Sequence, residues 1–521
     1  MSEFSINRRS VLLAGLGAAG TGLLAACSGG SGKPAAPLLA DPSGTPVAQA
    51  EARRGGTGRE RAATITATAD TVDLGGGTTA RTWTFGGALP GKAVRTTAGD
   101  TLVATLTNNL PVPTSAHWHG LALRNDMDGV PPVTMEPVKP GGSFTYRFVT
   151  DRPGTYWFHP HVGVQLDRGL YAPLIVEDPN EPLGYDEEWV VVLDDWLDGV
   201  TGTPDQALAE LRKGMGDMGG MGGHDMPGMA MPTPSGPAPS GPASFMLMGA
   251  TSELLGGDAG DVAYPHHLVN GRIATDPEVY SSKPGRRVRL RIVNAGGDTA
   301  YRLALGGHRL TVTHTDGFPV RPEEVDALLI GMGERYDVLV TLRDGVFPLT
   351  ALAEGKDATG RALVRTGGGE APSAAIRPAE LNGRILGAAD LRAADEVRLP
   401  ARTPDRTHRI ELTGGMAKYD WALNGRPFDM TDPTANPFLV ADGERVRLEF
   451  VNKTAMWHPM HLHGHTFQVG DRGPRKDTVI VLPGTTVTCD FDADNPGRWM
   501  THCHNAYHGE VGMMGLLAYR A

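Results

Sequence analysis

The stretch HPMHLHGH, His458 to His465, puts four histidines into eight residues, and THCHNAYHGEVGMM, Thr501 to Met514, sets three more around a cysteine. Earlier in the chain HWHG carries His117 and His119, and HPH carries His159 and His161. Four His-x-His pairs result, the other two being His461 with His463 and His502 with His504. In a strand successive side chains alternate sides, so both rings of such a pair face one way. Eight imidazoles are costly to bury unpaired, whereas neutral imidazole is a natural ligand for copper, zinc, iron and nickel. One pair is weak evidence for a metal; four in matched register are strong evidence.

Cys503 lies between His502 and His504, so on a strand its sulfur faces the opposite side, where it can meet His458 and His508, with Met513 five residues beyond. A thiolate, two imidazoles and a weak thioether form the blue-copper electron-transfer set. The path from the Cys503 sulfur through backbone to His502 and His504 joins the two sites over a distance on the order of 10 Å. One centre takes single electrons and the other can store several.

An internal repeat must position these residues. AGDTLVATLTNN at 98, PGRRVRLRIVNA at 284 and DGERVRLEFVNK at 442 each place a glycine (Gly99, Gly285, Gly443) nine positions before an asparagine (Asn108, Asn294, Asn452). Apolar residues alternate between them, the period of a half-buried strand. Nine residues after Asn108 comes His117, and nine after Asn452 comes His461; nine after Asn294 there is only Leu303. His159 and His502 each follow a glycine, Gly154 and Gly497, by five. The register predicts three related β-sandwich domains, with the shared site between the first and third and the second as spacer. The first domain's counterparts of His458, Cys503, His508 and Met513 are Thr114, Pro160, Gln165 and Leu170, so only the third can hold a blue copper. Boundaries fall near 61–180, 181–395 and 396–521, the second domain being interrupted at about 200–260 by a Met, Gly and Pro-rich segment that cannot bury a core.

Composition agrees. Seventy glycines and forty prolines favour a turn-rich all-β chain. A net charge of -11 argues against nucleic acid as a partner.

Together HWHG, HPH, HPMHLHG and HCHNAYHGEVGM resemble the four copper motifs of the multicopper oxidases, over nearly all of the chain after residue 60. That resemblance implies three cupredoxin-like Greek-key β-sandwich domains and four coppers per chain. It assigns His458, Cys503, His508 and Met513 to a type 1 copper and His117 and His461 to a type 2 copper. His119, His159, His161, His463, His502 and His504 go to a type 3 pair. In the family, donors are oxidised one electron at a time at type 1 and dioxygen is reduced to water at the trinuclear cluster. An axial Met513 tunes the type 1 centre toward a lower potential and easily oxidised donors. Asp128, in NDMDGVPP, resembles the acidic residue the family places near the cluster as a proton relay. Glu510 is a second candidate, although the family's matching acid directly follows the last type 1 histidine, where this chain has Gly509. His465 and the unmotifed His266, His267, His308, His314 and His408 read as structural.

Eight of the nineteen methionines lie between Met215 and Met248. Met215, Met218, Met221, Met226, Met229 and Met231, with His224 among them, sit in glycine that forms no core, and thioethers favour Cu(I). The segment resembles the methionine-rich inserts of cuprous oxidases used in copper tolerance; the plain alternative is a tolerant, disordered insertion.

Arg8 and Arg9 precede an apolar run, Val11 to Ala26, too short and glycine-rich for a comfortable membrane span. The pair resembles a twin-arginine export signal, and LAAC resembles a lipoprotein processing site, which makes Cys27 a lipid anchor for an exported, periplasmic or cell-surface protein. Residues 28–60 then read as a flexible tether. With Cys27 and Cys503 so assigned, Cys489 in TTVTCDF has no partner and reads as a buried strand residue.

The expectation is a monomeric multicopper oxidase that reduces dioxygen with electrons from Cu(I) or small phenolic and aromatic amine donors. A copper-sequestering protein and a copper nitrite reductase are the alternatives. The latter has no use for eight paired histidines, and sequestration does not need Cys503 wired to two more.

Overall fold

The computed structural model describes residues 38–215 and 244–521. Cys27 and the insert residues Met218, Met221, His224, Met226, Met229 and Met231 lie outside them. The chain is all-β, built as three sandwiches in sequence order.

In the first, the sheet of Thr78–Phe85, Glu60–Gly75, Thr101–Asn108 and Ser143–Val149 faces that of Val94–Thr97, Ala172–Glu177, Gly154–His159 and His117–His119. Leu102, Ala104 and Leu106 from one face pack against Trp118, Phe158 and Leu174 from the other, all fully buried. The second is larger, with sheets of seven and six strands. Its repeat strand, Arg287–Asn294, does not alternate as expected: Arg289 and Arg291 on the outer face are also buried, because they meet Asp337. In the third, the sheet built on Arg445–Asn452 and Thr486–Asp492 covers that of Phe438–Val440, Met514–Tyr519, Arg498–Cys503, His458–Leu462 and Thr478–Val481. Cys489 is a buried strand residue of this sandwich.

The repeat asparagines have one physical role. Asn108 Nδ2 donates to the carbonyls of Val112 and Val138, Asn294 Nδ2 to those of Thr299 and Ile330, and Asn452 Nδ2 to those of Met456 and Val481, all at 2.7–3.1 Å. Each side-chain oxygen accepts a backbone N–H two residues on. A buried amide thus ties the strand's end to the next segment, which in sandwiches one and three leads into the histidine strands.

Two expected flexible stretches are ordered in part. Within the 28–60 tether, Leu39 bridges Arg520, and Thr45–Arg53 is a helix with Val47 and Ala50 buried. Its C-terminal neighbour Arg54 reaches Asp151 of the first sandwich and Asn495 of the third. Within the 200–260 insert, Pro204–Leu211 is a helix capped by Thr203 with Gln206 in a reciprocal box. It buries Ala207, Leu208 and Leu211 in the core that holds Cys503 and Met513. Each such leucine contributes about 1.5–3 kcal/mol, so the insert's flanks do bury a core. Among the described residues no helix is long and apolar enough to cross a membrane.

Candidate metal centre

Strand register brings the pairs together. His117 stands directly opposite His159, and His461 opposite His502, in antiparallel ladders. Only His117 and His119 lie wholly within a strand; the strands carrying His159, His461 and His502 end before His161, His463 and His504. Pro160, which has no N–H for the ladder, accounts for the first of these endings. The rings converge nonetheless, across the seam between the first and third sandwiches. His117 stacks on His463 at 3.7 Å between centroids, and His119 on His461 at 3.8 Å.

One nitrogen of most rings is fixed from behind. His117 Nδ1 bonds the Asp128 carbonyl at 2.9 Å, His159 Nδ1 the Pro160 carbonyl at 3.0 Å and His461 Nδ1 the Asp477 carbonyl at 2.8 Å. The Nε2 atoms of these three rings are buried without a hydrogen-bond partner. His463 Nδ1 meets Asp128 Oδ2 at 2.9 Å and His502 Nδ1 the Cys503 carbonyl at 2.9 Å, turning both Nε2 atoms inward, 3.1 Å apart. His161 Nε2 joins them, 3.4 Å from that of His502. His119 is reversed: Nε2 bonds Asp477 Oδ1 at 3.0 Å, and Nδ1 faces His504 Nε2 at 3.2 Å. Inward nitrogens so close, with no donor between them, fit metal ions held at about 2 Å. Burial first, then the neighbouring imidazoles, pulls His119, His159, His161, His463 and His504 well below the usual 6.5. The same causes bring His502 down to about 3, so neutral lone pairs face the centre.

On the other side of the strand Cys503 Sγ lies 3.6 Å from His458 Nδ1 and 3.7 Å from His508 Nδ1, with Met513 fully buried in the same core. His458 Nε2 meets Thr454 Oγ1 at 2.9 Å, and His508 Nε2 meets Asp261 Oδ2 at 2.8 Å. Burial opposes protonation of His508, but Asp261 outweighs it and raises the ring to about 10. Trp421 packs on His508 at 4.4 Å. A buried thiol with two imidazole nitrogens in reach suits a soft, redox-active metal such as copper. At the equivalent place in the first sandwich, Thr114 Oγ1 donates to Gln165 Oε1 at 2.7 Å. The two positions that are histidines in one repeat close on each other in the other.

The remaining expected residues are placed as follows. Asp128 is fully buried; its Oδ1 lies 3.1 Å from His117 Nδ1 yet makes no hydrogen bond. Glu510 lies in the short helix Ala506–Val511, 3.9 Å from Arg212, and burial raises its carboxyl. It shares a mainly apolar cavity of about 440 Å³ with His159, His161, His502 and His504. Met215 is half-buried and its N–H bonds the carbonyl of Met416, in the loop that leads to Tyr419 and Trp421. His465 is structural, held by Tyr519 at 2.7 Å, and His267 by Tyr301 at 2.8 Å. Sequence spacing gives no sign of Asp261, Asp477 and Arg335, and two of the three lie in the second sandwich. That sandwich is therefore more than a spacer.

Family models described as multicopper oxidase match residues 66–181, 187–369 and 401–521. The chain is 48% identical to multicopper oxidase MmcO of Mycobacterium tuberculosis over 98% of its length and 96% of that protein's. It is 29% identical to a copper resistance protein A homolog of Pseudomonas syringae pv. tomato, covering 82% of this chain and 87% of the relative. The structure of the laccase from Botrytis aclada superposes with a TM-score of 0.68 at 26% identity, over 89% of this chain and 88% of that one.

Proposed function

The chain belongs to the multicopper oxidase family, and from that premise we propose that it oxidises Cu(I) and small phenolic or aromatic amine donors while reducing dioxygen to water, in a copper-tolerance role. The observation that carries this is a buried Cys503, His458 and His508 set joined through one residue of backbone to an eight-histidine cluster. Four coppers would supply one-electron oxidation at the first site and reduction of dioxygen at the second. His458, Cys503, His508 and Met513 would hold the type 1 ion and His117 and His461 the type 2 ion. His119, His159, His161, His463, His502 and His504 would hold the type 3 pair, each through its inward nitrogen.

The chain's own groups have assignable tasks. Asp261 and Thr454 fix the outer nitrogens of His508 and His458 and leave both Nδ1 atoms toward Cys503. Asp128 orients His463 through Oδ2, and its unbonded Oδ1 is the atom we assign to holding a proton beside the cluster. Glu510, with its carboxyl raised by burial, holds a second proton at the wall of the cavity that four cluster histidines line.

For the donor, the Cu(I) reading rests on the methionine insert and on where its flank lies. Met215 stays tied to Met416 beside the aromatic cover of His508. The insert's thioethers favour a soft cuprous ion. We also propose export and lipid attachment at Cys27, from the N-terminal signal pattern, and a monomer, because one chain supplies every ligand.

The test is oxygen consumption by the copper-loaded protein with Cu(I) and with a simple phenol, against a variant whose residues 216–243 are replaced by a short Gly-Ser linker. Met215 and the Ser244–Met246 contacts to Glu210 are kept, so that the helix Pro204–Leu211 stays seated. Selective loss of Cu(I) turnover supports a cuprous oxidase. Equal Cu(I) turnover leaves a general laccase.

A further inference from the structure

Behind the histidine cluster, on the side away from Cys503, a buried guanidinium of the second sandwich reaches into the seam between the other two. Arg335, fully buried, donates to both oxygens of Asp477, from Nη1 to Oδ1 at 2.7 Å and from Nη2 to Oδ2 at 2.6 Å. Its Nε donates to the Thr155 carbonyl of the first sandwich at 3.1 Å, and Nη1 also to the Gly333 carbonyl at 3.0 Å. One side chain from the sandwich without ligands thus holds all three together. Bidentate guanidinium–carboxylate pairing fixes the plane of the carboxylate as well as its place.

That plane matters because of what Asp477 touches next. Its Oδ1 bonds His119 Nε2 at 3.0 Å, and its backbone carbonyl bonds His461 Nδ1 at 2.8 Å. Thr478 Oγ1, which donates to Asp477 Oδ1 at 2.9 Å, lies 3.1 Å from His461 Nδ1 and 3.3 Å from His119 Nε2. Asp477 therefore engages opposite nitrogens on the two rings, its carboxylate taking Nε2 of His119 and its backbone carbonyl Nδ1 of His461. His119, from the first sandwich, turns Nδ1 inward; His461, from the third, turns Nε2 inward, and the rings stack at 11°. The loop carrying Arg335 also fits closely behind the rings. A Cβ at Gly333, whose φ is +82°, would stand 2.8 Å from His504 Cδ2 and 3.1 Å from His119 Cε1.

We infer that Arg335 is a positioning residue for the trinuclear copper cluster. Through the Asp477 carboxylate the second sandwich fixes which nitrogen His119 presents, and through Thr478 Oγ1, bonded to that carboxylate, it bears on His461. Partners behind metal-bound histidines commonly change metal affinity about 10–100-fold when altered. A lysine at 335 keeps the charge but lacks the planar fork, so the carboxylate loses its fixed plane.

This inference rests on the proposed copper assignment, and the experiment separates the two. Full-length protein, Arg335→Lys and Arg291→Lys are loaded with copper. Copper retained against a graded chelator, the type 2 EPR signal and the blue type 1 absorption are then recorded. Arg291 is a matched control: buried like Arg335, it pairs with Asp337 and Glu188 and bonds Thr155 Oγ1 at 3.0 Å, but none of these partners' side chains bonds a cluster histidine, as Asp477 does for Arg335. Arg335→Lys should keep the blue absorption, show an altered type 2 signal and release cluster copper at about 10–100-fold lower chelator concentration. Arg291→Lys should match the parent. A parental EPR signal and copper retention in Arg335→Lys overturns the inference, as does an equal loss in Arg291→Lys. If Arg335→Lys fails to fold, the isosteric Asp477→Asn carries the same readouts, and parental retention of cluster copper there overturns it too. A parent without a type 2 signal instead defeats the copper assignment itself.

Discussion

Asp261→Asn isolates the carboxylate that faces His508. The replacement keeps shape but removes the charge 2.8 Å from His508 Nε2, at a residue fully shielded from water. A hydrogen bond to a charged group contributes about 1.5–3 kcal/mol net, and at about 1.4 kcal/mol per tenfold this converts to roughly 10–150-fold in affinity. The opposite ligand gives an internal scale. Thr454 bonds His458 Nε2 through a neutral hydroxyl at 2.9 Å, for which about 0.5–1.5 kcal/mol applies, so Thr454→Val should cost roughly 2–12-fold. Competition titration against a calibrated copper chelator, followed by the blue absorption, measures both. Cluster copper should be unaffected in either variant, since neither side chain bonds a cluster histidine. Affinity within twofold of the parent in Asp261→Asn, or a larger loss in Thr454→Val, would refute the reasoning that charge behind the ring governs this site.

Two further outcomes follow from packing and protonation. The cluster histidines are held neutral by burial, so their folded values lie below the unfolded 6.5 and the unfolded chain takes up their protons first. Their contribution is fully present above pH 6.5 and falls below it by about 1.4 kcal/mol per pH unit for each group. His508 runs the other way, its contribution being present at low pH and lost as pH rises through about 10. The urea midpoint of metal-free protein should therefore drop steadily from pH 6.5 to 5, and a flat profile would contradict the neutral assignment. Asn452→Ala removes the side-chain donor of the Val481 carbonyl and leaves that of Met456 to Thr454 Oγ1, and should cost about 1–3 kcal/mol in chemical denaturation. Less than about 1 kcal/mol would show the tie to be incidental.

The residues whose spacing is local are legible in the amino-acid sequence. His117, His159, His461 and His502 can be placed because glycine and asparagine fix strand starts and ends at constant offsets, and Cys503 because alternation turns it from its neighbours. Beyond Asp128, whose motif marks it, the carboxylates behind the rings cannot. Asp261 is 247 positions from His508, and Asp477 is 358 from His119, so no periodicity links them. Arg289 and Arg291 break the alternation of a repeat strand for a related reason: Arg289 meets Glu181 and Asp337, and Arg291 meets Asp337 and Thr155 of the first sandwich, partners between 46 and 136 positions away. Composition also misleads at Thr45–Arg53 and Pro204–Leu211. Each is a short helix among polar and small residues, and its order comes from the surface on which it packs.

The stacking of His117 on His463 and of His119 on His461 means that each half of the cluster belongs to a different sandwich. Any ion bound there is held from both sides of the seam, so docking of the two sandwiches and occupancy by metal are thermodynamically linked. The docked form gains RT ln(1 + [L]/Kd) for each bridging ion, about 4 kcal/mol at a thousandfold excess over Kd. Free copper in the surroundings then sets how firmly the first and third sandwiches adhere.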